Sequence, residues 1–122
     1  MVKLLLVEDE FLIAALLRRN LMLVGYDVCE LVSTGEEAVE RAEQEQPDFI
    51  LMDVRLGGKM DGIEAAREIH QRFQIPIIFM TGYSDKERVA QIKELNPLAY
   101  LVKPVTPDDI KPIIDSALKK GG

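Results

Sequence analysis

The apolar positions of this chain alternate between two patterns. Short unbroken runs occur at Lys3-Leu4-Leu5-Leu6-Val7, Phe49-Ile50-Leu51-Met52, Pro76-Ile77-Ile78-Phe79-Met80 and Ala99-Tyr100-Leu101-Val102. Runs of this length bounded by turn residues predict strands buried on both faces. Tyr26 to Val32 is less apolar and reads as an edge strand. Between the runs, apolar residues recur at helical steps of three and four. Ile13, Leu16, Leu17, Leu21 and Val24 predict a first helix, ended by Gly25 at its C-cap. Thr34 with Glu37 forms a capping pair for a second helix carrying Ala38, Val39 and Ala42 and stopping before Pro47. Asp61-Gly62-Ile63-Glu64 opens a third, with Ile63, Ala66, Ile69 and Phe73 inward. Ser84-Asp85-Lys86-Glu87 reads as a further capping box before Val89, Ile92 and Leu95. Thr106 followed by Pro107 starts the last helix, which buries Ile110, Ile113, Ile114 and Ala117. Pro112 inside that pattern either displaces the helix start or kinks it.

Strand and helix thus alternate five times, which predicts an α/β parallel sheet with helices on both faces, joined by right-handed crossovers. Both common doubly wound orders are compatible with the pattern. The flavodoxin-like order 2-1-3-4-5 suits five strands, and its switch point lies between the first and third.

Composition narrows the class. The 122 residues make one domain, with no output domain in the sequence, and enough length to bury a core without disulfides or metal. The lone Cys29 lies in an apolar stretch and reads as a buried, inert thiol in a reducing compartment. No apolar run approaches the roughly 18 residues of a membrane span, and the N-terminus shows no secretory signal. A cytoplasmic location follows. The net charge of -6 argues against direct nucleic-acid binding, which needs a basic face, while leaving a basic protein partner open. His70 lies beside a buried stripe and reads as a surface or half-buried residue.

The chemistry gathers at the strand ends. The first strand ends in Glu8 and Asp9, the third in Asp53, the fourth in Thr81 and the fifth in Lys103. Taken singly, Asp53 and Asp9 are caps, Thr81 is a turn residue and Lys103 a solvated amine. In the expected sheet all five converge on one rim, where open α/β sheets bind ligands. Three adjacent carboxylates repel one another, so at least one pKa should rise, and a divalent cation would relieve the conflict. Oxygen-only ligands favour Mg²⁺ over zinc. A carboxylate held beside a metal, an ammonium and a hydroxyl is suited to accept a phosphoryl group as an acyl phosphate.

The chain resembles the receiver domains of two-component response regulators over nearly its whole length. The marks are Val7-Glu8-Asp9, Leu51-Met52-Asp53, Asp61-Gly62, Met80-Thr81-Gly82, Ala99-Tyr100 and Lys103-Pro104. The resemblance implies that Asp53 is phosphorylated by a histidine kinase or histidine phosphotransfer protein. It implies Mg²⁺ held by Asp9, Asp53 and the backbone carbonyl of Arg55, with Glu8 acting directly or through water. It also implies a cis peptide between Lys103 and Pro104. Phosphorylation would draw Thr81 toward the phosphoryl group and turn Tyr100 inward, changing the surface of the fourth helix, fifth strand and fifth helix. The domain would acquire and lose its own phosphoryl group rather than turn over an external substrate. Its downstream partner would be a protein target or an output domain lying elsewhere, and the resemblance leaves room for a phosphorylation-dependent dimer.

One departure from the family pattern is the segment Leu56-Gly57-Gly58-Lys59-Met60, which has no Pro and two glycines and is expected to be loose. Arg55 and Tyr83, each two residues past a site residue, are expected to lean over the phosphoryl group and hinder water. The competing readings are a degenerate receiver acting by contact alone, a flavodoxin-like ligand-binding module, and a phosphatase with an Asp nucleophile. The acidic loop Glu8-Asp9-Glu10 disfavours a phosphate-binding module, and Arg55 stands where such a phosphatase would carry its acid.

Overall fold

The computed structural model describes residues 1–121, the side chains at 83 and 84 excepted. Five strands, β1 (Lys3–Val7), β2 (Asp27–Val28), β3 (Phe49–Asp53), β4 (Ile77–Thr81) and β5 (Ala99–Val102), form one sheet in the order β2-β1-β3-β4-β5. Every pairing is parallel. The helices are α1 (Phe11–Leu23), α2 (Gly35–Glu45), α3 (Gly62–Phe73), α4 (Val89–Glu94) and α5 (Pro107–Gly121), with a 3-10 segment at Tyr83–Arg88 before α4.

The alternation of side chains along each strand divides the core into two layers. Leu5, Val7, Ile50, Met52, Ile77 and Phe79 pack with α2, α3 and Ile92 of α4. Leu4, Leu6, Phe49, Leu51, Ile78 and Met80 pack with Ala14, Leu17 and Leu21 of α1 and Ile110 and Ile114 of α5. Both faces of β3 and β4 are therefore covered, which is why these strands carry apolar residues at consecutive positions.

Helix starts follow their capping residues. Asp61 accepts from the Glu64 amide at 2.9 Å, and Glu64 accepts back from the Asp61 amide, a complete capping box. Thr34 accepts from the Glu37 amide at 3.2 Å, and its hydroxyl donates to the Glu37 carboxylate. Thr106 and Asp109 close the start of α5, with Pro107 as its first residue. Pro112 lies inside α5 and does not displace that start.

Three expectations need correction. The buried stripe of α1 is Ala14, Leu17 and Leu21, whereas Ile13, Leu16 and Val24 are exposed. The expected strand from Tyr26 to Val32 reduces to Asp27–Val28, with Val32 making an isolated bridge to Val7. Arg18 donates to the carbonyls of Val28 and Cys29, so a side chain takes the Cys29 acceptor that a longer ladder with β1 would use. The segment after β4 is capped at Gly82 rather than Ser84, because the Asp85 carboxylate accepts from the Gly82 amide at 2.8 Å. The Ser84 side chain lies outside the described residues. In the double-glycine loop Gly57 bridges Thr34, and a Cβ at Gly58, whose φ is +91°, would stand 3.0 Å from the Glu36 carboxylate.

Candidate functional site

The register of the sheet explains how residues far apart in sequence meet. Val7 pairs with Met52, so Glu8 emerges next to Asp53 at the switch point between β1 and β3. Asp53 pairs with Met80, one residue before Thr81. Thr81 pairs with Val102, one residue before Lys103, and the Lys103 amide donates to the Thr81 carbonyl at 2.7 Å. The strand ends place the five predicted groups at one rim of the sheet.

Their geometry is tight. The Lys103 ammonium lies 2.9 Å from Asp53 Oδ2 and 3.0 Å from Glu8 Oε1, bridging two carboxylates that are themselves almost fully buried. Carboxylate oxygens of Glu8, Asp9 and Asp53 lie within 4.8 Å of one another, Asp9 on the exposed side. Burial and the adjacent Asp53 push the Glu8 carboxyl up to about 8, against the opposing pull of Lys103. Burial depresses the Lys103 ammonium, but Asp53 and Glu8 outweigh it and hold that group above the ordinary lysine value. The expected carboxylate conflict is thus real and falls on Glu8. An oxygen-only set of three acids, one with its pKa raised first by burial, fits a small divalent cation, whose charge would replace a proton there.

Asp53 is also held from behind. The Arg55 amide donates to its Oδ1 at 3.2 Å. Gly62 begins α3 directly against it: a Cβ there would stand 1.9 Å from the Asp53 carbonyl oxygen. The glycine of Asp61-Gly62 therefore lets the helix start touch the backbone of the central acid. Thr81 is buried, but its hydroxyl donates to the Leu101 carbonyl at 3.4 Å, a long and weak bond directed at β5. Tyr100 is 39% exposed on the outer edge of β5, so it is not plain core packing. The Lys103–Pro104 peptide is cis.

The Arg55 side chain, expected to lean over a phosphoryl group, is engaged elsewhere as well: its Nε donates to the buried carboxylate of Asp85. The Tyr83 side chain lies outside the described residues. Asp85 is the functional candidate that the sequence reading missed. In the chain it looks like an ordinary first-turn acid, and its signal is the three-residue spacing from Gly82, which marks a carboxylate folding back onto a helix start. His70 is exposed and Cys29 buried, as expected. Among the described residues no helix is long and apolar enough to cross a membrane.

Residues 4–115 match the family model of the response regulator receiver domain. The transcriptional regulatory protein PdtaR of Mycobacterium tuberculosis is 37% identical over 118 residues, 97% of this chain and 57% of the relative. The alkaline phosphatase synthesis transcriptional regulatory protein PhoP of Bacillus subtilis is 37% identical over 119 residues, 97% of this chain and 49% of the relative. The chain thus spans about half the length of these curated relatives. The signal receiver domain of a modulated diguanylate cyclase from Desulfovibrio desulfuricans superposes with a TM-score of 0.89 at 42% identity, covering 97% of this chain and 94% of that one. The receiver domain of the sensor histidine kinase PA1611 from Pseudomonas aeruginosa, with a magnesium ion coordinated in its active-site cleft, superposes at 0.83 with 32% identity, covering 94% of this chain and 95% of that one. Sequence, strand order and the gathering of acids at the switch point all agree, and the chain belongs to the receiver domain family of two-component response regulators.

Proposed function

We propose that this domain accepts a phosphoryl group on Asp53 from a phosphohistidine of a cytoplasmic histidine kinase or phosphotransfer protein, and that the modification changes a protein-binding surface. The observation that carries the reading is the Lys103 ammonium 2.9 Å from Asp53 Oδ2, inside the acidic cluster at the switch point. A carboxylate oxygen of Asp53 bonds to phosphorus as the phosphorus–nitrogen bond of the donor breaks. The electron pair of that bond leaves on the imidazole nitrogen, and the ring departs neutral when its other nitrogen carries a proton. Water later attacks phosphorus, releases inorganic phosphate and restores the carboxylate. The domain is thereby returned to its starting state without consuming a further substrate.

Lys103 neutralises the acceptor before transfer and can follow the phosphoryl oxygens afterwards. Asp9, Asp53 and the Arg55 carbonyl, with Glu8 beside them, would hold Mg²⁺. When bound, the ion supplies positive charge to the carboxylates and to the phosphoryl oxygens. Thr81, now bonded weakly to Leu101, has little to lose by turning its hydroxyl toward a phosphoryl group. Tyr100, exposed on the neighbouring strand, can then move into the space Thr81 leaves. The readout surface is α4, β5 and α5, facing a protein target or an output domain elsewhere. Only differential contacts of the phosphoryl group with the two states can shift the balance between them.

The test is intact mass after incubation with Mg²⁺ and acetyl phosphate. The parent is expected to gain one phosphoryl group and Asp53→Ala none. Equal gain in both, or none in the parent, overturns the reading.

A further inference from the structure

Asp85 is a buried carboxylate, 3% exposed, outside the acidic cluster. Acids are almost never buried to this degree unless paired. Its two oxygens serve different elements. Oδ2 accepts from the Gly82 amide at 2.8 Å, and Oδ1 accepts from Arg55 Nε. Gly82 follows Thr81 at the exit of β4, and Arg55 follows Asp53 by two residues at the exit of β3. The Arg55 amide is itself bonded to Asp53. One carboxylate therefore spans the two strand exits that flank the acceptor. A second ion pair, Arg88 to Asp61 at 3.1 Å, ties the same two segments together further along.

Resting on the functional reading above, we propose that Asp85 is an internal stand-in for the phosphoryl group. Its carboxylate occupies the Gly82 amide and the Arg55 guanidinium, and the phosphoryl group on Asp53 takes these donors over and so unlocks the segment 83–94. Asp85 is a positioning residue, not a catalytic one. Two arguments carry the assignment. A phosphoryl group carries more negative charge than a carboxylate and has three acceptor oxygens, so it wins any donor that both can reach. The segment Asp85 holds is also poised to change. It is a six-residue 3-10 run, longer than such runs usually are, leading into a six-residue α-helix. A 3-10 run of this length has poorer hydrogen-bond geometry than an α-helix, so it leans on outside contacts. Here the Gly82–Asp85 bond and the Arg55 pair hold that stretch in place.

The experiment uses the whole domain with Mg²⁺ and acetyl phosphate, followed by intact mass and by amide hydrogen exchange resolved to single residues. In the phosphorylated parent, the Gly82 amide is expected to shift and the amides of 83–94 to lose protection. Asp85→Asn without phosphate is expected to show the same loss, and once phosphorylated to keep its phosphoryl group about threefold longer or more, because the competing anion is gone. Asp85→Glu, which retains the charge, is expected to bring both readouts back toward the parent. A parent that takes no phosphoryl group overturns the functional reading itself. A parent that takes it while Gly82 keeps its shift and protection overturns this inference alone. So does an Asp85→Asn protein with the parent's lifetime and protection. Should that variant fail to fold, the Gly82 amide of the parent gives the decision.

Discussion

Glu8 and Asp53 emerge side by side from the paired ends of β1 and β3, and their electrostatics give a pH dependence of definite sign. Folding raises the Glu8 pKa from the ordinary carboxylate range to about 8, first by burial and second by Asp53. Between those two values the folded chain keeps a proton that the unfolded chain has released. Stability of the metal-free protein should therefore fall as pH rises through that window, and level off above it. A bound divalent cation replaces the proton, so its stabilising effect should grow over the same range. Thermal melts at pH 6 and pH 8.5, with and without Mg²⁺, are expected to show the larger gain from the ion at the higher pH. Glu8→Gln should flatten the metal-free dependence. An equal gain at both pH values would mean that Glu8 is not the group that titrates against the ion.

The elements show where hydrophobic spacing informs and where it does not. In α1 every position from Phe11 to Leu17 is apolar, so several stripes fit the three-and-four rule equally well. The chosen stripe shared Leu17 and Leu21 with the buried one but also took in Ile13, Leu16 and Val24, which face outward. Leu17 is 7% exposed and Leu12 81% exposed on the same helix. Leu17→Ala is expected to cost about 2–5 kcal/mol, whereas Leu12→Gln should change stability by roughly 0.5 kcal/mol or less. Urea unfolding of the two variants checks this, and comparable losses would show that the outer face of α1 is covered in solution. The mixed helices α2 and α3 left no such ambiguity, because polar residues framed Ala38, Val39 and Ala42, and Ile63, Ala66 and Ile69. The length of β2 was not legible, because Arg18, ten and eleven residues away, takes the carbonyls of Val28 and Cys29. The 3-10 start before α4 was also hidden, since Asp85 reads locally as a first-turn acid.

At the scale of the whole molecule, the site was legible because parallel strands with alternating connections must put all their carboxyl ends on one rim. That rule alone brings Glu8, Asp9, Asp53, Thr81 and Lys103 to one rim. It says nothing of side-chain direction. That the Thr81 hydroxyl points to Leu101 and that Tyr100 lies on an exposed edge strand depend on rotamers and on the neighbours of β5. The same two facts make the proposed switch measurable. Tyr100 ring resonances are expected to lose contact with a soluble paramagnetic probe when the parent is phosphorylated, and to keep it in Asp53→Ala. A ring equally accessible in both would separate Tyr100 from the switch while leaving the acceptor chemistry intact.

The guanidinium of Arg18, seated on the carbonyls of Val28 and Cys29, bears on how safely this chain can be crowded. A sheet margin normally offers open acceptors on which a foreign strand can dock and propagate. On the β2 side those acceptors are filled from within, and the ladder there is two residues long. Strand addition along that margin is therefore disfavoured, which lowers the tendency of crowded copies to join edge to edge.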